Sequence, residues 1–273
     1  MPRGAFLMHR ARAVRAVIAV ATAAAAAFPA AACTGSGPPH ASAGGTRDGE
    51  ISARLPEATT HTTVQGAPRD SAALAASATD GLVVRPTAPT TVLDAPGGRP
   101  IAVLPASQLG GPTWVPVVNR SGAWYQVLLP SRPNQATGWV PAGDGRLHTA
   151  RTPYLVRVDL SNRRLTLLRD GRTVGRWRVA VGAPATPTPV GRTFVLALLR
   201  PSRPTPSPLV IPLGAHSETL DTYGGGPGTV AFHGWPDPSV FGRAVTHGCV
   251  RVPGTALRAL SEVPLGTLVI ITG

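Results

Sequence analysis

The sequence contains no lysine. Its 26 basic residues are all arginines, set against 13 acids, for a formal net charge of +13. Lysine-amine covalent chemistry is therefore excluded, and so is a Walker A phosphate loop, which needs a lysine. Gly224-Gly225-Gly226 reads instead as a flexible loop beside a cleft. Cysteine is nearly absent, with Cys33 close to the N-terminus and Cys249 close to the C-terminus. That count argues against a disulfide framework and offers no C-x-x-C pair for zinc. Aromatic residues make up 5% of the chain, and no basic stripe is interleaved with them, so nucleic acid is not an expected partner. The excess of arginine suits an anionic neighbourhood such as a wall or a membrane surface. What is abundant is glycine (31) and proline (30), a composition of short strands and many turns; the expected fold class is mainly β.

The N-terminus reads as an export signal. Arg3, Arg10, Arg12 and Arg15 precede the apolar run "AVIAVATAAAAAF", Ala16 to Phe28, which is too short to cross a bilayer as a stable helix. "PAAAC" follows, resembling a bacterial lipobox in which Cys33 becomes the lipidated N-terminus. Ala30 departs from the leucine usual in that pattern, and cleavage after Ala32 is the alternative. Residues 34–82, rich in Gly, Ser, Ala, Thr and Pro, are expected to be a disordered linker. From Cys33 to Leu82 such a coil spans roughly 35–42 Å, the reach that a membrane-anchored protein working on a wall would need.

Two folded units are expected after it. In residues 83–149, "TTVLDAPGG", "PTWVPVVNR", "GAWYQVLLP" and "ATGWVPAG" are β-prone runs broken by turns. Gly122-Ala123-Trp124 and the closing Gly138-Trp139-Val140 give this stretch a resemblance to bacterial SH3-like barrels, which implies either a wall-peptide binder or a packing spacer. Residues 150–273 begin with three alternating strands through "YLVRVDLSNRRLTLLRDGRTVGRWRVAVG", turning at Ser161-Asn162 and Asp170-Gly171. A strand is expected to run from Phe194, a short helix through Leu257, Leu260 and Val263 after Pro253, and a buried strand through "GTLVIITG".

The chemistry-bearing stretch is "THGCVRV", Thr246 to Val252. A thiol of ordinary pKa is only about 3% thiolate at pH 7, so Cys249 needs a neighbouring base or cation to act as a nucleophile. His247 is tied to the same turn, whereas His233, on a separate segment, can face the sulfur as a general base should. Gly248 and Gly234 permit close backbone approach, and amides near Gly248 and Cys249 are candidates for an oxyanion hole. A zinc site from His233, His247 and Cys249 would have no standard spacing, and His216 reads as a structural histidine.

"VDLSNRRLTLLRDGRTVGRWRVAVG…TPTPVGRTF", "GTVAFHG" and "THGCVRV", in that order, resemble the L,D-transpeptidase (YkuD-type) family. The resemblance implies a β-sandwich-like catalytic domain that acts on peptidoglycan stem peptides without metal or cofactor. Cys249 would be the acylated nucleophile and His233 its base, with the carbonyl of Gly234 orienting the ring. His247 and Gly248 would shape the turn and the oxyanion hole. Arg251 and Thr246 would lie at the substrate, Thr246 replacing the commoner serine. The implied reaction is a cross-link between third-position residues through a thioester. Resolution by water would make the chain an L,D-carboxypeptidase instead, and loss of activity would leave a wall-binding lipoprotein. An exported monomer at the outer face of a bacterial membrane or in the wall is the corresponding expectation.

Overall fold

The computed structural model describes residues 55–224 and 226–273, which fall in one compact unit. The export signal, Cys33 and the first part of the linker lie outside the described residues.

Nine strands come first: β1 (Leu82–Pro86), β2 (Thr90–Leu93), β3 (Pro100–Leu104), β4 (Ser107–Gln108), β5 (Gly111–Pro112), β6 (Val115–Ser121), β7 (Trp124–Leu128), β8 (Thr137–Pro141) and β9 (Leu147–Arg151). All but the small β4–β5 hairpin join one antiparallel sheet in the order β3-β2-β8-β7-β6-β1-β9. Val84, Val92, Leu104, Val115, Val127 and Val140 are fully buried inside it.

A second sheet contains β10 (Tyr154–Asp159), β11 (Arg164–Arg169), β12 (Arg172–Arg178), β14 (Gly191–Phe194) and β19 (Leu268–Thr272), in the order β12-β11-β10-β19-β14. The β11–β12 turn is the Asp170-Gly171 pair, both at positive φ (50° and 75°), the conformation that a two-residue hairpin demands. The strand expected to run from Phe194 instead ends there. Its pairing with β19 stops at Leu268, and the chain crosses to a third sheet through the Val195–Leu213 and Leu199–Val210 bridges.

That third sheet is β15 (Val210–His216), β16 (Thr229–Gly234) and β18 (Val250–Val252), with β16 and β18 parallel. β13 (Val181–Gly182) and β17 (Ala244–Thr246) form a short parallel pair beside it. The helix α1 (Gly254–Ser261) follows Pro253 and buries Ala256, Leu257 and Leu260.

β19 explains how these layers join. Val269 and Ile271 enter the core beneath β15, β16 and β18, while Leu268 and Ile270 enter the core of the N-terminal sheet. A strand buried on both faces needs a continuous apolar run, and "LVII" supplies one. Phe194 and Leu196 join the N-terminal core as well.

The expected linker needs correction over residues 55–81. This segment is a strap packed on the N-terminal sheet: Glu57 bridges to Val103, Thr63 to Arg132 and Arg69 to Ala136. Ala58 and Val64 are 0% and 1% exposed. Its polar composition hid two apolar anchors and an ion pair, since the Asp70 carboxylate holds the Arg192 guanidinium of β14 with both side chains buried.

Candidate active site

The sheet of β15, β16 and β18 sets the site because its parallel pairing fixes which side chains share a face. Phe232 lies opposite Val250 and both are fully buried. The next register pair, His233 and Arg251, therefore points to the other, solvent-facing side. Cys249 immediately precedes β18, two residues before Arg251, and joins them there, half-buried and as a free thiol. The thiol is thus diagonal to His233 across neighbouring chain segments, which lie about 4.7–4.9 Å apart where strands pair.

Electrostatics keep both groups neutral at rest. Burial lowers the pKa of His233 below its ordinary 6.5; its bond to the Gly234 backbone opposes this, and the Arg251 charge adds to it. Burial pushes the Cys249 thiol above 9.0, opposed by a hydrogen bond from the Ala231 backbone and by Arg251. His233 Nδ1 lies 2.9 Å from the Gly234 carbonyl oxygen, an acceptor only. The ring proton therefore sits on Nδ1 and the lone pair is on Nε2.

The cysteine turn is held from within and from the side. Thr246 Oγ1 accepts from the Gly248 N–H at 3.2 Å and donates to the Cys249 carbonyl. Gly248 has φ +113°, a conformation that side-chain-bearing residues rarely adopt. Alongside runs the segment 183–190. Thr186 Oγ1 donates to the Thr246 carbonyl and Thr188 Oγ1 to the Gly248 carbonyl, each at 2.8 Å. Thr246 was expected at the substrate, but it is 2% exposed and its hydroxyl is spent on the turn. Its role is to shape the loop.

The other expected residues separate clearly. Gly234 is buried and ends β16. Arg251 lies over the Trp235 ring, 3.6 Å from its centroid, on the face that carries His233. His247 is exposed at the tip of the turn and stacks on Tyr223 at 5.0 Å. His216 is fully buried at the end of β15, with Nε2 2.8 Å from the Thr60 carbonyl. Among the described residues no group of three His, Cys, Asp or Glu side chains gathers as a metal site would require.

The family model of the L,D-transpeptidase catalytic domain matches residues 153–271. The YkuD protein of Bacillus licheniformis is 34% identical over 153 residues, covering 54% of this chain and 86% of that one. The chain belongs to the L,D-transpeptidase family. The YkuD protein of Bacillus subtilis is 31% identical over 120 residues, 44% of this chain and 66% of its own length. Among solved structures, an L,D-transpeptidase from Mycobacterium smegmatis aligns with 17% identity and a TM-score of 0.40, over 70% of this chain and 97% of that one. One from Mycobacterium tuberculosis H37Rv aligns with 17% identity and a TM-score of 0.41, over 69% and 95%.

Two residues of this L,D-transpeptidase site have roles that the sequence does not reveal. Ser207, 3% exposed, accepts the Gly234 N–H at 2.7 Å and donates to the Leu209 carbonyl at 2.6 Å, fixing the peptide that orients His233. Thr188 receives the Gly182 N–H at 2.9 Å while holding Gly248. Ser207 stands in the proline-rich stretch "PTPSPL", which shows neither alternation nor motif, and Thr188 in "TPTPVGRTF", a family-like run that does not reveal the hydrogen bonds its hydroxyl makes.

Proposed function

We propose that this chain is a peptidoglycan L,D-transpeptidase that works through a Cys249 thioester. The observation that carries this reading is the pairing of His233 with Arg251 across β16 and β18, with Cys249 immediately before β18 and the Nδ1 proton of His233 committed to the Gly234 carbonyl.

In the first step His233 Nε2 takes the Cys249 Sγ proton as sulfur attacks the carbonyl of the third residue of a tetrapeptide stem. The C–N bond to D-alanine breaks, and the departing amine receives that proton from His233. In the second step the side-chain amine of a neighbouring stem gives a proton to His233 and attacks the thioester. The cross-link forms and the thiol is regenerated. The Gly248 N–H is already given to Thr246, so the Cys249 N–H is assigned the oxyanion. Neutral partners suit this site, since holding a thiolate–imidazolium pair out of water carries a desolvation cost.

The N-terminal sheet is assigned as SH3-like on its Trp124 and Trp139 runs, with its packing against β14 and β19 as the structural context. Lipid on Cys33 would place the monomeric enzyme at the outer membrane face. Detergent-phase partitioning that Cys33→Ala leaves unchanged would sink that placement.

The central test is mass spectrometry of the protein with a disaccharide-tetrapeptide, alongside labelling by a carbapenem. An acyl adduct on Cys249 and a cross-linked dimer are expected, and both should be lost in Cys249→Ala. A tripeptide product without dimer would assign hydrolysis by water. Turnover retained in Cys249→Ala would overturn the mechanism.

A further inference from the structure

The loop of residues 131–136, between β7 and β8 of the N-terminal sheet, touches both segments that flank the cysteine turn. At one end Gln135 Nε2 donates to the Val190 carbonyl at 2.7 Å, bracing the 183–190 segment. In the middle Asn134 exchanges two 2.8 Å hydrogen bonds with the backbone of His216, as a neighbouring strand would, and reaches Glu218 at 3.3 Å. At the other end Arg132 donates through one guanidinium nitrogen to the Pro227 carbonyl at 2.7 Å and the Asp221 carbonyl at 3.3 Å.

Those two carbonyls belong to the loop 217–228. Its base is closed by the Ser217 N–H on the Gly228 carbonyl at 2.8 Å, and its tip by mutual 3.0 Å bonds between Tyr223 and Gly226. The ring of Tyr223, 53% exposed, is stacked on His247, two residues before the nucleophile. Arg132 itself is firmly based. The Arg132 N–H donates to the Thr62 carbonyl and its carbonyl accepts from the Val64 N–H, both at 2.9 Å and both from the strap. A fixed donor thus bears on the loop that carries Tyr223.

We propose that Arg132 is a positioning residue of the transfer reaction: from the N-terminal sheet it holds the 217–228 loop so that Tyr223 stays against His247 beside Cys249. The N-terminal sheet is then part of the enzyme's working apparatus. This inference rests on the peptidoglycan reading for its substrate, since a stem peptide must pass the loop to reach the thiol, whereas a compact β-lactam need not.

The experiment compares the full chain with Arg132→Ala and Arg132→Lys. It measures steady-state transfer from a tetrapeptide, carbapenem acylation of Cys249, thermal melting, and amide hydrogen exchange over 217–228. In Arg132→Ala, kcat/KM for the tetrapeptide should fall by about tenfold or more, chiefly through KM, the scale of one lost charged hydrogen bond. Carbapenem acylation should stay within about twofold of the wild type. Exchange in the loop should accelerate, and Arg132→Lys, which keeps one cationic donor, should restore much of both. Unchanged tetrapeptide kinetics with unchanged exchange would overturn the assignment. So would an equal loss toward both substrates with a lowered melting temperature, the mark of a merely structural role. A wild-type chain that is acylated by the carbapenem but turns over no tetrapeptide would sink the peptidoglycan reading instead. The exchange comparison then decides Arg132 alone, acceleration supporting it and no change overturning it.

Discussion

Cys249 and His233 are both held in their neutral forms, and this fixes the expected pH dependence. As the proposed base, His233 works only when Nε2 is unprotonated, and burial lowers its pKa. The acid limb of the acylation profile should therefore be centred below pH 6.5; a midpoint above that value would contradict the burial argument. His233→Ala should cost acylation about 10²–10⁴-fold, the range of a lost general base. Gly248 makes a second residue-scale prediction. A Cβ there would meet the Pro187 carbonyl at an ordinary 3.5 Å, so space is not the obstacle. The φ of +113° is, and Gly248→Ala should cost about 1–3 kcal/mol of local strain. Relief of that strain would turn the Cys249 peptide, so acylation should drop and the melting temperature should fall by a few degrees. Acylation at the wild-type rate would show that the turn tolerates the change.

The strap of residues 55–81 is an element whose hold on the body can be measured. Asp70 and Arg192 are buried to 5% and 2% side-chain exposure, with Asp70 Oδ2 accepting from Arg192 Nε at 2.6 Å. Removing one partner of such a pair leaves a buried charge uncompensated, at about 3–5 kcal/mol. Asp70→Ala should lower stability to denaturant by that order and free the strap to early proteolysis. Asp80 pairs with Arg120 and Arg151 at 44% side-chain exposure, and Asp80→Ala at this solvated cluster should cost about 1 kcal/mol or less. Equal effects of the two variants would mean that the strap is not anchored by its ion pair.

Across the whole molecule, His216 couples folding to acid. It is fully buried where the strap, the 131–136 loop and β15 meet, and burial, with the Arg132 charge adding to it, lowers its pKa to about 4. Between pH 6.5 and about 4 the unfolded chain binds a proton at this site that the folded chain does not. Its contribution is therefore complete above pH 6.5 and is lost as pH falls through that window, on the order of 3 kcal/mol in all. Unfolding at pH 7 and pH 4.5 should show this loss, and His216→Gln should shrink the difference between the two. A difference of the same size in His216→Gln would place the acid sensitivity elsewhere.

The sequence by itself determined what is local or periodic. The alternation through β10, β11 and β12, the Asp170-Gly171 turn, the continuous run of β19 and the helix after Pro253 all depend on neighbours in the chain. So does the compact cysteine turn, whose cysteine, glycine and histidine stand side by side in "THGC". Tertiary structure decided whatever depends on partners distant in the chain. The strap's polar composition gave no sign that Ala58, Val64 and Asp70 would find a core and a buried arginine. Thr246 could as well have met a substrate as its own turn until Gly248 and Cys249 folded around its hydroxyl. Ser207 and Arg132 act through hydrogen bonds that include ones to backbone atoms 27 and 95 residues away. Such bonds impose no period and ask for no particular side chain at the far end, so no pattern in the sequence records them.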